Sequence, residues 1–316
     1  MNLMYEMMNH TYSLKGKNVN TWLDFSQTDI SGLLAQAQHL KENPHNNILA
    51  GKTLGMIFEK SSTRTRVSFE VGMFQMGGHA LYLNSRDIQI GRGETISDTA
   101  KVLSGYVDAI MYRTTSHEKL QELAKHATIP VINGLCDQYH PCQALSDIFT
   151  ILELKGRLAG VKAVYVGDGN NVAHSFMILG AKMGMDIVIA SPKGYGPDTD
   201  ILAKAKQVAV ENSGSVVVED DPMKAVEGAD VVYTDVWASM GQEKEAEERM
   251  QAFQGFQVND ELLKEAKADV HFLHCLPAHR EEEVTASVID GTRSAVFQQA
   301  ENRLHVQKAV LQSVIG

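Results

Sequence analysis

Short apolar runs alternate along the chain with stretches that carry hydrophobic residues at helical spacing. The run at residues 53–58 predicts a strand, and Val67, Val71 and Phe74 recur at the spacing of a helix that follows it directly. Polar residues followed by regularly spaced apolar ones predict a capped amphipathic helix within residues 21–43. Further strands are predicted at residues 80–83, 108–112, 129–133, 216–219 and 230–234. This alternation is typical of an α/β fold whose parallel sheets are flanked by helices.

The stretch "VKAVYVGDGNNVAHSFMILGAKMGMDIVIASP" predicts a strand, a turn, a helix and a second strand. Such a unit raises the hypothesis of a nicotinamide-dependent dehydrogenase, but the fingerprint fails twice. Val172 stands where the third glycine is needed, and the second strand ends at Ala190 without an acid for a ribose. The amide of Asn171, at the start of the helix, could hold a carboxylate or cap its own helix.

Length and composition narrow the class of protein. The 316 residues, 44% of them hydrophobic and 22% charged, are enough for two α/β domains with separate cores. No apolar run reaches membrane-spanning length and the N-terminus lacks a basic start, so we expect a cytoplasmic protein. Three cysteines argue against a disulfide framework. A net charge of −10 argues against nucleic acid or an anionic membrane as partner, and any anion site must therefore be locally basic.

The junction "SSTRTR" between the first strand and its helix has the chemistry of a phosphate site. A helix start offers unpaired N–H groups and a positive dipole end, to which Ser62, Thr63 and Thr65 add hydroxyl donors. Residues two apart on a helix point about 200° apart, so only one of the two arginines faces an anion. Arg66 is expected to pair with Glu70, four residues on, which leaves Arg64 for the phosphate.

Two later segments of the first half add donors. Arg113 ends a predicted strand on the side where parallel sheets bind ligands, although a surface salt bridge is the alternative. In "HPCQ", Pro141 suits the first position of a helix extending to about residue 154. His140 could then donate to a carbonyl oxygen and Gln143 accept from an amide, which suits a carbamoyl group; a helix-capping histidine is the simpler alternative.

In the second half, Asp235 ends a predicted strand and opens the loop "DVWASMGQE". A carboxylate there could bind an amine, with Ser239 and Met240 contacting the rest of an amino-acid head group. The charged stretch "QEKEAEERM" that follows predicts a helix with a solvated face.

Three histidines and a cysteine lie within the nine residues 271–279, so a metal site has to be considered. His271 and His274 fall on or beside a short strand at odd spacing, which directs their side chains to opposite faces. The acids that follow them predict a helix start rather than a second ligand pair. We therefore predict no metal.

Taken together, these motifs resemble the carbamoyltransferases. "SSTRTR" is similar to the carbamoyl-phosphate motif of the aspartate and ornithine families, while Asp-x-x-x-Ser-Met-Gly and "HCLP" resemble the ornithine family alone. The resemblance implies a carbamoyl-phosphate domain over residues 1–150 and an ornithine domain over residues 151–316, with a terminal helix, about 298–316, packing back on the first domain. It also implies a homotrimer in which Gln89 serves a neighbouring subunit, and a cis bond between Leu276 and Pro277.

The resemblance further implies transfer of a carbamoyl group from carbamoyl phosphate to L-ornithine without a cofactor. Asp235, Cys275, Arg64, His140 and Arg113 would be catalytic, and Asn171, Asp235, Ser239 and Met240 would bind ornithine. The remaining carbamoyl-phosphate contacts would come from Ser62, Thr63, Thr65, Gln89, Gln143, Cys275, Leu276 and Arg303. Putrescine or N-acetylornithine as acceptor, and a nonenzymatic binder, are the alternatives.

Overall fold

The computed structural model describes residues 13–238 and 245–316. Their contacts divide the chain into two units, one formed by the described residues up to Leu145 together with Glu301–Gly316, and the other by Ser146–Ala300. The chain passes between the units at two points, and both points lie inside helices, whereas the sequence predicts a single boundary near residue 150. A boundary inside a helix leaves no break in the local hydrophobic pattern, so the sequence alone gives little sign of it.

The first unit is built on four parallel strands in the order β2-β1-β3-β4. Its strands are β1 Thr53–Phe58, β2 His79–Asn84, β3 Ala109–Arg113 and β4 Val131–Leu135. Its helices are α1 Gln27–Glu42, α2 Thr63–Gln75, α3 Ile96–Ser104 and α4 His117–His126, with 3-10 turns at Trp22–Asp24 and Gln89–Arg92. Because β1 is followed by β2 on one side and has β3 on the other, the sheet changes its winding direction between β1 and β3.

Two long helices pass from one unit to the other: α5 Pro141–Lys155 and α12 Val296–Ile315. The predicted helix starting at Pro141 is confirmed, and the terminal helix begins close to its predicted start. The last part of α12 belongs to the first unit, where Asn302 accepts a hydrogen bond from Lys41 and Ser313 donates one to Gln36.

The second unit is a five-stranded parallel sheet in the order β7-β6-β5-β8-β9. Its strands are β5 Lys162–Val166, β6 Asp186–Ala190, β7 Ser215–Glu219, β8 Val231–Thr234 and β9 His271–His274. Its shorter helices are α6 Asn171–Lys182, α7 Thr199–Glu211, α8 Pro222–Val226, α9 Ala246–Ala252, α10 Asp260–Lys264 and α11 Ala286–Ile289. Here the winding direction changes between β5 and β8.

Each unit has its own hydrophobic core. In the first, Ile57, Ile110 and Val131 from neighbouring strands pack with Leu120 of α4. In the second, apolar residues of the sheet such as Val164 and Phe272 pack with Phe253 and other residues of the covering helices. Parallel strands covered on both faces bury nearly all their side chains, which is why the sequence shows them as unbroken apolar runs.

Two sequence-based expectations need correction. The Val67–Val71–Phe74 stripe marks a real helix, but Val67 and Phe74 are exposed and α2 buries Phe69 and Met73 instead. Residues 84–98 are largely polar and include two glycines, which predicts a loop over the whole stretch, but the loop is shorter, because Thr95 caps α3 by accepting a hydrogen bond from the Asp98 N–H. The predicted solvated face of α9 is confirmed at Glu247 and Glu248, which are exposed, although Arg249 of the same helix is buried.

Within the described part of the chain, no helix is long and apolar enough to cross a bilayer.

Candidate active site

The phosphate-type junction lies where the winding of the first sheet changes. Phe58 at the end of β1 pairs with Arg113 at the end of β3, so the residues after β1 and the Arg113 side chain belong to the same sheet edge. Ser62 caps α2 by accepting a hydrogen bond from the Thr65 N–H at 3.2 Å. Ligands of open parallel sheets bind at this kind of edge, beyond the carboxyl ends of the strands.

Glu59, which directly follows β1, is hydrogen-bonded to residues at the end of β3. Its carboxylate accepts hydrogen bonds from the Tyr112 hydroxyl at 2.7 Å, the Thr114 hydroxyl at 2.7 Å and the Lys119 ammonium at 3.1 Å. Burial acts to raise the pKa of Glu59, but the bonds from Thr114, Tyr112 and Lys119 outweigh it and hold the pKa below its usual value. Glu59 is absent from the residues predicted from sequence; the available signal was a lone acid directly before the basic junction.

Arg303 of α12 links the remaining predicted residues of the first unit. Its guanidinium donates to Gln143 Oε1 at 2.6 Å, to Thr65 Oγ1 at 3.3 Å and to Gln307 Oε1 at 3.0 Å. Gln143, expected to accept from an amide, thus already accepts from Arg303. The arginine is only 3% exposed, so its charge acts in a largely dry environment.

His140 lies within the field of three arginines. Burial lowers its pKa well below the usual value, and the positive charges of Arg303, Arg113 and Arg64 lower it further. The imidazole is therefore neutral at physiological pH and can donate or accept one hydrogen bond without adding charge. Because Arg113 is buried, at 5% exposure, a surface salt bridge does not explain it.

The two arginines of "SSTRTR" differ in the structure. Arg66 is exposed and pairs with Glu70 at 3.0 Å, as expected, and its guanidinium also lies 3.7 Å from the centre of the Tyr82 ring. Arg64 is half-buried and contributes to the field at His140. Gln89 lies apart from this group as the first residue of a 3-10 turn, and its side chain is exposed.

Asp235 is the centre of a second group, in the second unit. Val166, Thr234 and His274 pair at the carboxyl ends of β5, β8 and β9, so the residues that follow these strands meet at one edge. The Cys275 thiol donates to Asp235 Oδ1 at 3.0 Å, and the Asn170 amide donates to Asp235 Oδ2 at 3.1 Å. Both oxygens of the carboxylate are therefore oriented by protein donors.

The helix cap at this turn is Asn170 rather than Asn171. Asn170 Oδ1 accepts from the N–H groups of Val172 and Ala173, while its amide holds Asp235. Asn171, the predicted ornithine contact, is the first residue of α6. Two adjacent asparagines at a helix start carry the same local signal, so the sequence could not distinguish their roles.

An ion pair that was not predicted from sequence lies beside this group. The Arg249 guanidinium lies 3.2 Å from Asp168 Oδ2 and donates to the Trp237 carbonyl at 2.9 Å. Arg249 thus links Asp168, in the turn after β5, to the carbonyl of Trp237. Trp237 precedes Ser239 and Met240 in the chain, and Arg249 follows them. Those two predicted contacts lie outside the described residues. The signal for Asp168 was an acid between two glycines, directly after a predicted strand.

The titration of Asp168 makes the free energy of unfolding depend on pH. Burial raises its pKa from 3.8 to about 6, against the opposing effect of Arg249. The raised pKa means that its stabilising contribution is complete below about pH 4 and is lost as the pH rises through about 6. We expect wild type to lose about 3 kcal/mol of unfolding free energy through this group between these pH values, and Asp168→Asn to lack that loss.

Urea unfolding of both proteins from pH 4 to 8 would measure this. Parallel stability curves for wild type and Asp168→Asn would contradict the assignment of the titration to Asp168.

The segment after β9 has an unusual backbone. The peptide bond between Leu276 and Pro277 is cis, as the resemblance implied. Leu276 itself has φ of 57°, in the left-handed region that residues with a side chain rarely adopt.

Asp235, His274 and Cys275 are one of two groups in the described part of the chain whose ligand atoms lie within 4.8 Å of one another. A cation there would compete with existing hydrogen bonds, because both His274 nitrogens and both Asp235 oxygens already have partners. The other group is His279, Glu282 and Glu283.

Comparison with known proteins agrees with this geometry. The family model "Aspartate/ornithine carbamoyltransferase, carbamoyl-P binding domain" matches residues 17–153, and the model "Asp/Orn binding domain" of the same family matches residues 159–314. An ornithine carbamoyltransferase of Bacillus subtilis (strain 168) is 63% identical over 303 residues, covering 96% of this chain and 95% of that protein.

A solved structure, the ornithine carbamoyltransferase from Pyrococcus furiosus, is 58% identical with a TM-score of 0.94, covering 96% of this chain and 98% of that one. The ornithine carbamoyltransferase from Thermus thermophilus is 42% identical with a TM-score of 0.86, covering 95% and 99%. Identity and coverage at these levels, with both family models matched in order, show that the chain belongs to the aspartate/ornithine carbamoyltransferase family.

Proposed function

We infer that this chain is an ornithine carbamoyltransferase, which transfers the carbamoyl group of carbamoyl phosphate to the side-chain amine of L-ornithine. The products are L-citrulline and phosphate. The observation that carries the inference is 63% identity to a curated ornithine carbamoyltransferase over almost the whole of both chains. The Asp235–Cys275 pair supports the choice of an amine as acceptor.

In this proposal the first unit binds carbamoyl phosphate. The start of α2, from Ser62 to Thr65, receives the phosphate, because its N–H groups and hydroxyls are donors beside the positive end of a helix dipole. The guanidinium groups of Arg64 and Arg113 stabilise the negative charge that grows on the leaving phosphate. His140, held neutral, donates to the carbamoyl oxygen.

Gln143 and Arg303 complete the carbamoyl site in this proposal. The guanidinium of Arg303 holds Gln143 Oε1 at 2.6 Å, which fixes the orientation of the amide. An oxygen acceptor has two lone pairs, so Gln143 Oε1 can accept from the carbamoyl NH₂ as well.

The second unit binds L-ornithine. Its neutral side-chain amine attacks the carbamoyl carbon; a C–N bond forms, the bond from that carbon to the phosphate oxygen breaks, and one amine proton leaves, ending on the phosphate. A free amine of this kind has a pKa near 10.4, so the bound ammonium must first give a proton to an acceptor in the site before its nitrogen can attack. Asp235, oriented by Cys275 and Asn170, is that acceptor. Asn171, Ser239 and Met240 supply the remaining predicted contacts to ornithine, while Cys275 and Leu276 are predicted to contact carbamoyl phosphate.

The direct test is to assay the purified protein with carbamoyl phosphate and each of four acceptors: L-ornithine, putrescine, N-acetylornithine and L-aspartate. We expect citrulline and phosphate in equal amounts with ornithine, and at most slow turnover with the others. Faster product formation with another acceptor would overturn the choice of ornithine. A protein that binds these ligands without turnover would be a nonenzymatic relative.

A cytoplasmic location stays a prediction.

We also propose that the chain assembles as a homotrimer; large apolar side chains are exposed on both units, Val210 and Phe297 of the second among them. Phe74 of α2 and Tyr106 after α3 are 76% and 77% exposed, and Val67, Leu81 and Val102 are exposed as well. Large apolar side chains exposed on one unit are typical of a surface that a partner covers. Isolated side chains of this kind need no partner, so size-exclusion chromatography with light scattering has to decide the assembly.

In such a trimer, Gln89 is expected to act in the site of a neighbouring subunit. Its exposed position beyond the edge strand β2 suits contact with another chain. Gln89→Ala and Arg64→Ala should each be nearly inactive, yet mixed trimers should recover a fraction of wild-type activity. Some sites would then pair an intact Arg64 from one subunit with an intact Gln89 from the next.

The matched control mixes Arg64→Ala with His140→Ala, because both of these residues come from one subunit and every site would retain a lesion. Native mass spectrometry would verify that subunits exchanged. Exchange without recovery in the Gln89 mixture would show that Gln89 does not act in trans.

A further inference from the structure

A buried histidine–glutamate pair lies beside the Cys275 segment. His274, the last residue of β9, and Glu283 are both 0% exposed, and His274 Nε2 is 3.0 Å from Glu283 Oε1. Placing a carboxylate in a protein interior is costly unless hydrogen bonds compensate for its lost hydration. The burial of this pair must therefore have a structural or functional reason.

The hydrogen bonds around His274 define its tautomer. The Leu276 N–H donates to His274 Nδ1 at 2.9 Å, so this nitrogen carries no proton. Nε2 then holds the ring proton and donates to Glu283 Oε1, which also accepts from the His279 N–H at 2.7 Å. One imidazole and one carboxylate thus hold the backbone at both Leu276 and His279.

The His274 main chain is fixed independently. Its N–H donates to Gln299 Oε1 at 2.9 Å, and the Gln299 amide donates to Asp147 Oδ1 at 2.7 Å. The imidazole therefore projects from a rigid strand end, and it can serve as a reference point for the residues that follow.

Leu276 needs such support. Its φ of 57° places it in the left-handed region, which is sterically unfavourable for a residue with a side chain. Backbone of this kind persists where the surroundings hold it, and it is concentrated at functional sites. Leu276 directly follows Cys275, whose thiol contacts Asp235 at 3.0 Å.

We propose that His274 and Glu283 are positioning residues, which hold Leu276 in its left-handed conformation and so place Cys275 against Asp235 for the reaction. This inference rests on the proposed function, because Asp235, Cys275 and Leu276 are its acceptor and substrate contacts. His274 and Glu283 do not touch substrate in this scheme; they act through the backbone. A misplacement of about 1 Å in an active site can cost about 10²-fold in rate.

Two substitutions separate the two hydrogen bonds of the imidazole. In His274→Asn, the side-chain oxygen lies as many bonds from Cβ as Nδ1 and can still accept from the Leu276 N–H, but the side chain does not reach Glu283. In His274→Gln, the amide nitrogen matches Nε2 and reaches Glu283, but the acceptor for Leu276 is lost. Each His274 variant is made alone and also combined with Glu283→Gln. The combination removes the charge of Glu283, which would otherwise stay buried without its histidine partner.

We expect His274→Gln to lower kcat by about 10²-fold, and His274→Asn with Glu283→Gln to stay within about tenfold of wild type. Leu263→Ala is the control for general destabilisation, because Leu263 is buried in the core of the same unit. It should lose stability and keep its kcat. Rates are compared per folded enzyme, with folding checked by circular dichroism. Equal kcat for the asparagine and glutamine variants would overturn the proposal.

A second readout does not depend on turnover. The rate at which iodoacetamide alkylates Cys275, followed by peptide mass spectrometry, should rise in His274→Gln and not in His274→Asn with Glu283→Gln. Cys136 and Cys142 are buried and serve as internal references. If the wild type forms no citrulline, the proposed function fails, and the alkylation rates alone decide the positioning role: a faster rate in the glutamine variant supports it and equal rates overturn it.

Discussion

The Arg64→Ala variant is expected to fold like the wild type and to turn over about 10²- to 10³-fold more slowly, the usual cost of removing one preorganised donor to a developing charge. Arg64 lies in the second position of α2, half-buried, where its charge reaches the same space as those of Arg113 and Arg303 at His140. Removing it deletes attraction that grows as the phosphate leaves. The loss should therefore appear in kcat as well as in kcat/KM.

Arg66→Ala is the matched control, because it removes an arginine from the same helix two residues away. Arg66 pairs with Glu70 on the surface, and exposed pairs of this kind contribute about 0–1 kcal/mol. We expect unchanged kcat and a small loss of stability. If Arg64→Ala, shown to be folded by circular dichroism, keeps its activity within tenfold of wild type, the assignment of Arg64 to the phosphate is wrong.

The second large effect is expected for Asp235→Asn, with kcat/KM for ornithine reduced by about 10³-fold, within the range for losing a positioned proton acceptor. The carboxylate accepts from Cys275 at one oxygen and from Asn170 at the other. An asparagine offers only one oxygen, so one of these donors would face an NH₂ group. The variant loses the charge that attracts the amine and the oriented acceptor together.

Asp230→Asn provides the control within the same part of the sheet. Asp230 directly precedes β8, and it is buried, accepting from the Lys162 N–H and the Lys267 ammonium. Its substitution should lower stability without changing kcat/KM. Calorimetry with a carbamoyl-phosphate analogue should show normal binding to Asp235→Asn, because that ligand is assigned to the first unit. A fall of less than tenfold in kcat/KM for ornithine would exclude Asp235 as the acceptor.

Local sequence signals predicted the secondary structure well because the physics behind them is local. The strand at residues 53–58 and the helix that begins at Pro141 follow from apolar runs and from the fixed φ of proline. The Ser26 hydroxyl accepts from the Asp29 N–H, and the Ser26 N–H donates to the Asp29 carboxylate in return. This capping box involves residues only three apart. In "SSTRTR", the Ser62 cap and the Arg66–Glu70 pair were readable as well, because both join residues three or four apart in the chain.

Burial was harder to predict where a helix is apolar on more than one side. The spacing of Val67 and Phe74 indicated α2 correctly, yet the helix buries Phe69 and Met73. Arg249 shows the reverse case: it stands in a run of charges that looks solvated, and Asp168, far away in the chain, makes its burial possible. Such pairings depend on which strands are neighbours, and no local pattern encodes that.

The sequence by itself thus determined the class of fold, the order of its elements and the chemical groups available for a phosphate, a carbamoyl group and an amine. The tertiary structure decided which groups meet. Strand order places Asp235 beside Cys275 and makes Asn170, rather than its neighbour Asn171, the residue that holds Asp235. The same long-range packing buries His274 against Glu283. The physical reason is that hydrogen bonds between distant residues follow from sheet register and burial, which are set by the whole chain at once.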